Sequence, residues 1–418
     1  MFRMKENPQS TIHNPKLFDA LVVGAGPAGS FAAELLAKQG FSVALFDGRP
    51  EGEPKPCGGG VTSKALKAYP QLLDAVGRTI EDLEMFAPSG AKLYLKLDEP
   101  FAIYDRTVFD SFLRNRALQA GAMVFNEKVS LPSDDRENGV WTLRGYGKSE
   151  NANVFQGRFL VAADGASSVI AKKLSGNLEK SEMEVAFGYR IPFSANDSKV
   201  RTVIAFLPLF AGYAWAFPRL DHLSFGIATA QDTFDHAKLD KILWSFIVGF
   251  HTQRENKKAS IWQSLDKPTN AKLAKDLKQS AEPYAARIPG LAAETLDTRR
   301  TLGDGWALLG DAAGFADAVT GEGIYYALRS AEIFVDCFAS GKDYEQSWRT
   351  DFGKELRRAS QMRRRFYGNF LGAAFTERLI QFAKMHPGIR RTLRELVAGD
   401  QGYTNLKRTL ARRALLPL

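Results

Sequence analysis

Three features of this sequence could do chemistry: glycines spaced to receive a phosphate, carboxylates set after small-residue turns, and a cysteine preceding three glycines. The first is the most explicit. In Gly24-x-Gly26-x-x-Gly29 each glycine has a separate task. Gly24 allows a tight turn, Gly26 admits a pyrophosphate close to the backbone, and Gly29 lets a helix pack on a strand. The apolar run 18–23 before the motif reads as a strand, and 30–39 after it has helical spacing and stops at Gly40. A helix beginning there, with Ala28 in its first turn, offers unpaired N–H groups and a positive dipole end to phosphates. A second strand, 41–46, delivers Asp47, a carboxylate placed to accept hydrogen bonds from a ribose. The motif alone admits either NAD or FAD.

Later segments discriminate. Val161-Ala-Ala-Asp164-Gly165 and Ala307-Leu-Leu-Gly-Asp311-Ala-Ala-Gly314 each set an Asp in a small-residue turn after a strand. Thr320-Gly321-Glu-Gly323 then precedes a helix and forms a further backbone anion site. Arg106 opens a helix reading Arg106-x-x-Phe109-Asp110-x-x-Leu113. Together these resemble the flavoprotein superfamily that includes aromatic hydroxylases, flavin halogenases and prenyl reductases. The resemblance implies FAD, with Asp311 on the ribityl chain and Gly321, Gly323 and Ile324 beside the ring. It also implies Arg106 at the phosphates, a bidentate role suited to guanidinium, and Val129 among the cofactor contacts. Asp164 is either structural or a further FAD contact.

Two more motifs narrow the resemblance. Lys55-Pro-Cys57-Gly58-Gly59-Gly60 and Tyr213-x-Trp215-x-Phe217-Pro218 look like those of the geranylgeranyl reductase family, over roughly residues 18–335. Members saturate isoprenoid double bonds. Backbone at Gly58, Gly59 and Gly60 can approach a planar ring, so these three join the cofactor-binding set. An isolated alkene accepts hydride poorly, so saturation pairs a proton donor with hydride from flavin, and cationic character on carbon suits aromatic faces. Tyr213, Trp215 and Phe217 alternate along a strand and share one face, with Ala214 and Ala216 on the other. The trio is a wall for a polyprenyl chain, and Tyr213 and Trp215 join Cys57 as candidate catalytic residues. Cys57 could be a proton relay, a flavin-tuning group or a substrate contact. An aromatic-Pro element also occurs in halogenases, so a flavin-dependent monooxygenase or halogenase is the alternative. A non-catalytic flavin or lipid carrier is a third. His13, His222, His236, His251 and His386 form no metal-like cluster, so no metal is expected.

The elements that must position these groups read as an α/β chain. A Rossmann-like FAD-binding domain is assigned to 18–82, 101–175 and 295–340. An antiparallel β-sheet substrate domain takes 83–100 and 176–294, and a basic C-terminal helical region takes 341–418. Within these, 83–104 alternates as a hairpin turning at Pro88-Ser89-Gly90, 106–120 reads as a helix and 160–163 as a strand. Several strands follow in 184–230, helix in 234–282, strand in 306–309, helix in 323–338, and helices only from 342. Residues 1–17 read as a loose arm.

With 418 residues the chain can fill two or three domains. No apolar run approaches the roughly 20 residues of a membrane span, and residues 1–18 contain no readable signal peptide. Two cysteines, Cys57 and Cys337, make no disulfide framework, which suits a reducing cytoplasm. The net charge of +9 is lopsided: residues 341–418 hold 17 Lys/Arg against 7 Asp/Glu, a net of +10. Basic pairs beside Phe366, Phe370, Leu371, Phe375, Leu379, Ile380 and Phe382 suit either a helical cap or an anionic membrane surface. No nucleic-acid motif accompanies them. The expected partners are a prenyl lipid or prenyl diphosphate substrate and an electron donor, NADPH or reduced ferredoxin, since no second glycine-rich nucleotide motif exists.

Overall fold

The computed structural model describes residues 16–50, 52–132, 136–146, 153–193, 200–208, 211–230, 235–370 and 372–414. Most of the expected arm, and Leu371, lie outside them. In chain order the strands used below are β1 Leu17–Val23, β2 Val43–Phe46, β3 Gly60–Val61, β4 Arg78–Phe86, β5 Lys92–Ile103, β6 Met123–Phe125, β7 Val129–Ser130 and β8 Trp141–Gly145. Then come β9 Val154–Ala162, β10 Met183–Pro192, β11 Val203–Phe206, β12 Gly212–Pro218, β13 His222–Ala230, β14 Glu282–Pro289, β15 Leu302–Gly303 and β16 Trp306–Leu308.

The first sheet runs β15-β16-β9-β1-β2-β6, with the β7–β8 hairpin attached through β9. β2, β16 and the carboxyl-terminal parts of β1 (Ala20–Val23) and β9 (160–162) are apolar and buried, as strand segments covered on both faces must be. β1 lies parallel to β2 and β9, with Val23 opposite Phe46 and Ala162, while Leu308 lies opposite Ala162. This register brings Gly24, Asp47, Asp164 and Asp311 out at one carboxyl edge, where ligands of open parallel sheets bind. Helices Pro27–Lys38, Arg106–Gln119 and Ile324–Ser340 cover the sheet.

The second sheet runs β14-β10-β13-β12-β11-β4-β5-β3 and is antiparallel except where β11 meets β4. Alternation gives it two apolar faces. Ala214 and Ala216 join Phe225 and Ile227 under helix His236–Glu255. Trp215 and Phe217 join Leu83, Leu95 and Ile103 against Phe366, Leu379 and Ile380 of the C-terminal helices. The C-terminal region is therefore the second cover of this sheet. Much of its apolar face is turned inward, although Phe382 and Met385 stay exposed.

Several elements differ from the sequence reading. The hairpin is longer, beginning at Arg78 and pairing across a register shift between Ile80 and Asp82. Residues 234–282 break into helices His236–Glu255 and Pro268–Lys278 before β14 opens at Glu282. The C-terminal region is not purely helical: Asn369–Phe370 pairs with Ala373–Ala374 around Gly372, whose φ of +76° permits the reversal.

Candidate active site

A cavity of ≈ 1690 Å³ opens at the carboxyl edge of the first sheet and extends to β10 and β14 of the second. It exceeds the about 300–1,000 Å³ of an ordinary small-molecule pocket, leaving room for a dinucleotide and a second ligand. At one end Gly24, Gly26 and Ala28 line it. Gly24 has φ +103°, and a Cβ there would collide with the Ala163 carbonyl. Gly29 lies outside the lining, its Cα packed against the Gly24 carbonyl. Gly26 caps the helix without a side-chain partner, so first-turn N–H groups remain available. Asp47 and Val129 also line this end. Asp47 pairs with Arg114 and accepts the Arg49 N–H at 3.2 Å.

The middle of the cavity is crowded with charge. Arg106 is buried and donates from Nε and Nη2 to Asp110 at 2.8 and 2.9 Å. Burial opposes its charge, but Asp110 and Cys57 hold the guanidinium above its ordinary pKa. Lys55 Nζ lies 3.5 Å from Asp110 Oδ2. Asp311 faces this group, and its carboxylate accepts no hydrogen bond among the described residues. Burial pushes its carboxyl up, against the pull of Lys55 and Arg106. Asp164 accepts from the Ser168 hydroxyl, which caps the following helix, and it also lines the cavity.

The far end is closed by the loop before helix Ile324–Ser340, whose Gly321, Gly323 and Ile324 line the wall. The buried Asp317 holds this loop, its Oδ1 accepting the N–H groups of Val319 (2.7 Å) and Thr320 (2.9 Å). Tyr213 donates to the Thr320 carbonyl, and Tyr367 donates to the Val319 carbonyl at 2.7 Å. Tyr403 reaches Asp317 at 3.2 Å. Two tyrosines of the C-terminal region thus fasten the loop. Glu322 accepts from the Thr62 hydroxyl, and burial pushes its carboxyl up to about 7.

Cys57 lines the cavity and its Sγ accepts the Gly59 N–H at 3.3 Å. The aromatic trio sits elsewhere. A Cβ on Gly58 would be 3.3 Å from Trp215 Nε1, and one on Gly60 would be 3.1 Å from Phe217. Gly59 has φ +80° and presses on the Tyr104 carbonyl. The three glycines let the chain pass between the aromatic wall and Tyr104, and neither they nor Tyr213, Trp215 and Phe217 line the cavity. The wall backs the Cys57 segment.

Several residues of the site went unread in the sequence. Arg219, buried directly after the aromatic-Pro motif, donates to the carbonyls of Tyr104, Cys57 (2.8 Å) and Gly58 (3.3 Å) and pairs with Asp105. Tyr284 lines the cavity and donates to the Phe225 carbonyl at 2.9 Å. Lys55 and Asp110 stood inside quoted motifs but carried no assigned role. Among the described residues no His/Cys/Asp/Glu group could hold a metal.

Residues 18–331 match the family model described as "FAD binding domain". The chain belongs to that family. FAD is its cofactor, and it is an FAD-dependent oxidoreductase. Geranylgeranyl diphosphate reductase of Nicotiana tabacum is 28% identical over 362 residues, 82% of this chain and 70% of the relative. Digeranylgeranylglycerophospholipid reductase of Methanothrix thermoacetophila is 26% identical over 364 residues, 81% of this chain and 85% of the relative. A geranylgeranyl bacteriochlorophyll reductase-like protein from Thermoplasma acidophilum shares the fold with a TM-score of 0.69. It is 20% identical, covering 95% of this chain and 99% of that one. The cavity fits FAD: an uncapped helix start and an open Gly26 await phosphates, and the Asp311 carboxylate awaits hydroxyl donors.

Proposed function

We propose that this oxidoreductase saturates carbon–carbon double bonds of a geranylgeranyl-type isoprenoid chain carried on a lipid or a diphosphate. The observation that carries the reading is the placement of Cys57. It lies where the charged cluster of Arg106 and Asp110 meets Val185, Ala186, Tyr284 and Ile288 in one cavity. A flat apolar chain fits against the second group, and the ring end of FAD fits beside Gly321, Gly323 and Ile324. Reduced FAD supplies a hydride to one alkene carbon. The other carbon takes a proton, so each turnover oxidises one reduced flavin and adds two hydrogens.

Cys57 is the residue proposed to touch the reacting carbons and to hold or relay the proton at Sγ. Arg219 fixes it through its carbonyl, and Trp215 and Phe217 support the glycines after it. Tyr213 holds the opposite loop through the Thr320 carbonyl. These three rings form the wall behind the substrate and act by keeping the two loops at a fixed separation. Arg106, beside Cys57 and Asp110, sets the charge next to the thiol.

Electrons reach the flavin from NADPH docking transiently or from a reduced ferredoxin. A lipid substrate favours work at a membrane surface facing the cytoplasm. Exposed Phe382 and Met385 beside Lys384, Arg390 and Arg391 suit shallow insertion among anionic headgroups. No helix among the described residues is long and apolar enough to cross a membrane.

The test is mass spectrometry of prenyl lipids and prenyl diphosphates incubated with dithionite-reduced protein under argon. Mass gains in steps of two hydrogens are expected. Product that forms only with oxygen, carrying an added hydroxyl or halogen, would replace this reading with a monooxygenase or halogenase.

A further inference from the structure

We propose that Lys55 is the side chain that clasps the pyrophosphate of FAD, and that through it cofactor binding fixes the Cys57 segment. Its ammonium stands over the glycine cradle: Nζ lies 3.1 Å from where a Cβ on Gly26 would be. Gly26 caps the helix Pro27–Lys38 with no side-chain partner, so the N–H groups of the first turn and the ammonium face one space.

The ammonium is only loosely paired there. Asp110 already gives both oxygens to Arg106 at 2.8 and 2.9 Å, and Lys55 shares Oδ2 only at 3.5 Å. Enclosure and the nearby Arg106 both depress the ammonium's pKa, and Asp110 and Asp311 offset this in part. A pyrophosphate on the cradle would give the ammonium charge-assisted hydrogen bonds that outweigh its repulsion from Arg106.

The link to Cys57 is covalent and short. Pro56 is the only residue between Lys55 and Cys57, and it restricts its own φ and the backbone of Lys55. Arg219 grips the Cys57 and Gly58 carbonyls from the other side. A lysine fixed on phosphate therefore adds a firm hold on the Lys55 side of Cys57, where the pair to Asp110 is long at 3.5 Å, to the grip of Arg219 on the other.

The test uses full-length apoprotein, wild type, Lys55→Gln and Lys55→Arg, each titrated with FAD by flavin fluorescence quenching. Lys55→Gln should weaken FAD about 10- to 100-fold and flatten the salt dependence, while Lys55→Arg should stay within a few-fold of wild type. Alkylation of Cys57 by iodoacetamide, at saturating FAD in each protein, should be faster in Lys55→Gln. Apoprotein melting points should agree, which separates this role from a structural ion pair to Asp110. A lowered melting point with unchanged FAD affinity would overturn the proposal, as would tighter FAD binding by Lys55→Gln. Unchanged FAD affinity with weakened binding of a prenyl diphosphate would also overturn it, moving the lysine to the substrate.

Discussion

Alanine at Gly26 and alanine at Gly29 should have opposite effects, although only two residues separate them. A Cβ on Gly29 would overlap the Gly24 carbonyl and press on Ala163 at 3.1 Å. Neither can retreat, because Gly24 is held by its φ of +103° and by its N–H to the Phe46 carbonyl at 2.9 Å. Overpacking of this kind costs about 1–3 kcal/mol or more. A Cβ on Gly26 meets only Lys55 Nζ, the end of a flexible side chain. Its φ of −79° is ordinary for alanine, and exchanging Gly and Ala at a helix cap changes stability by only about 0.5 kcal/mol. The methyl nevertheless fills the space a pyrophosphate needs. Losing one charge-assisted hydrogen bond, about 1.5–3 kcal/mol, weakens FAD about 10- to 100-fold. Melting of both apoproteins, with FAD titration of each, reads the two effects separately. Gly29→Ala should melt early; Gly26→Ala should melt like wild type and bind FAD poorly. If Gly26→Ala binds FAD normally, the dinucleotide does not lie on this cradle and the reasoning is refuted.

Cys57→Ser should retain FAD, because the thiol contacts no phosphate, yet slow or misdirect alkene reduction; full turnover with an unchanged product pattern makes the thiol structural. Glu322→Gln tests burial of a carboxyl. Burial raises Glu322 from 4.5 to about 7, so between those pH values the folded protein binds more protons than the unfolded one, and stability falls as pH rises. The variant should therefore gain up to about 3 kcal/mol over wild type at pH 8 and little at pH 4.5, measured by urea unfolding; an equal effect at both pH values contradicts this. Arg364→Glu with Arg365→Glu should weaken sedimentation with anionic vesicles at low salt, whereas Phe382→Ser with Met385→Ser should remove the salt-resistant part. Arg363 is left intact there because it pairs with the buried Glu184 at 3.2 Å.

The first βαβ unit was legible because each of its signals is local: a period, a turn glycine, a capping position and a carboxylate at a strand end. The same held for the helix from Arg106 and for the two faces of β12. What those faces touch was not legible. Trp215 and Phe217 share one buried cluster with helices about 150 residues later in the chain, and no spacing rule reports such a grouping. The glycines after Cys57 were read as room for a cofactor ring, yet their near neighbours are Tyr104, Phe101 and the aromatic wall. Arg106 was assigned to phosphates from resemblance, although Asp110 stands one helical turn away and takes its guanidinium. Arg219, Tyr367 and Tyr403 act on the site through backbone carbonyls or a distant carboxylate, partners that leave no mark on the sequence. The apolar residues of the C-terminal region suit either a helical cap or a lipid-facing surface by sequence, and Phe366, Leu379 and Ile380 are spent on the second sheet.

The central claim is that a prenyl chain is the oxidant of the reduced flavin. Anaerobic stopped-flow mixing of the fully reduced protein with a geranylgeranyl substrate tests it most directly, followed by oxidised-flavin absorbance. The account predicts that the flavin reoxidises without oxygen, one flavin for each double bond lost. A flavin that stays reduced with the prenyl substrates and reoxidises only when oxygen is admitted would contradict it.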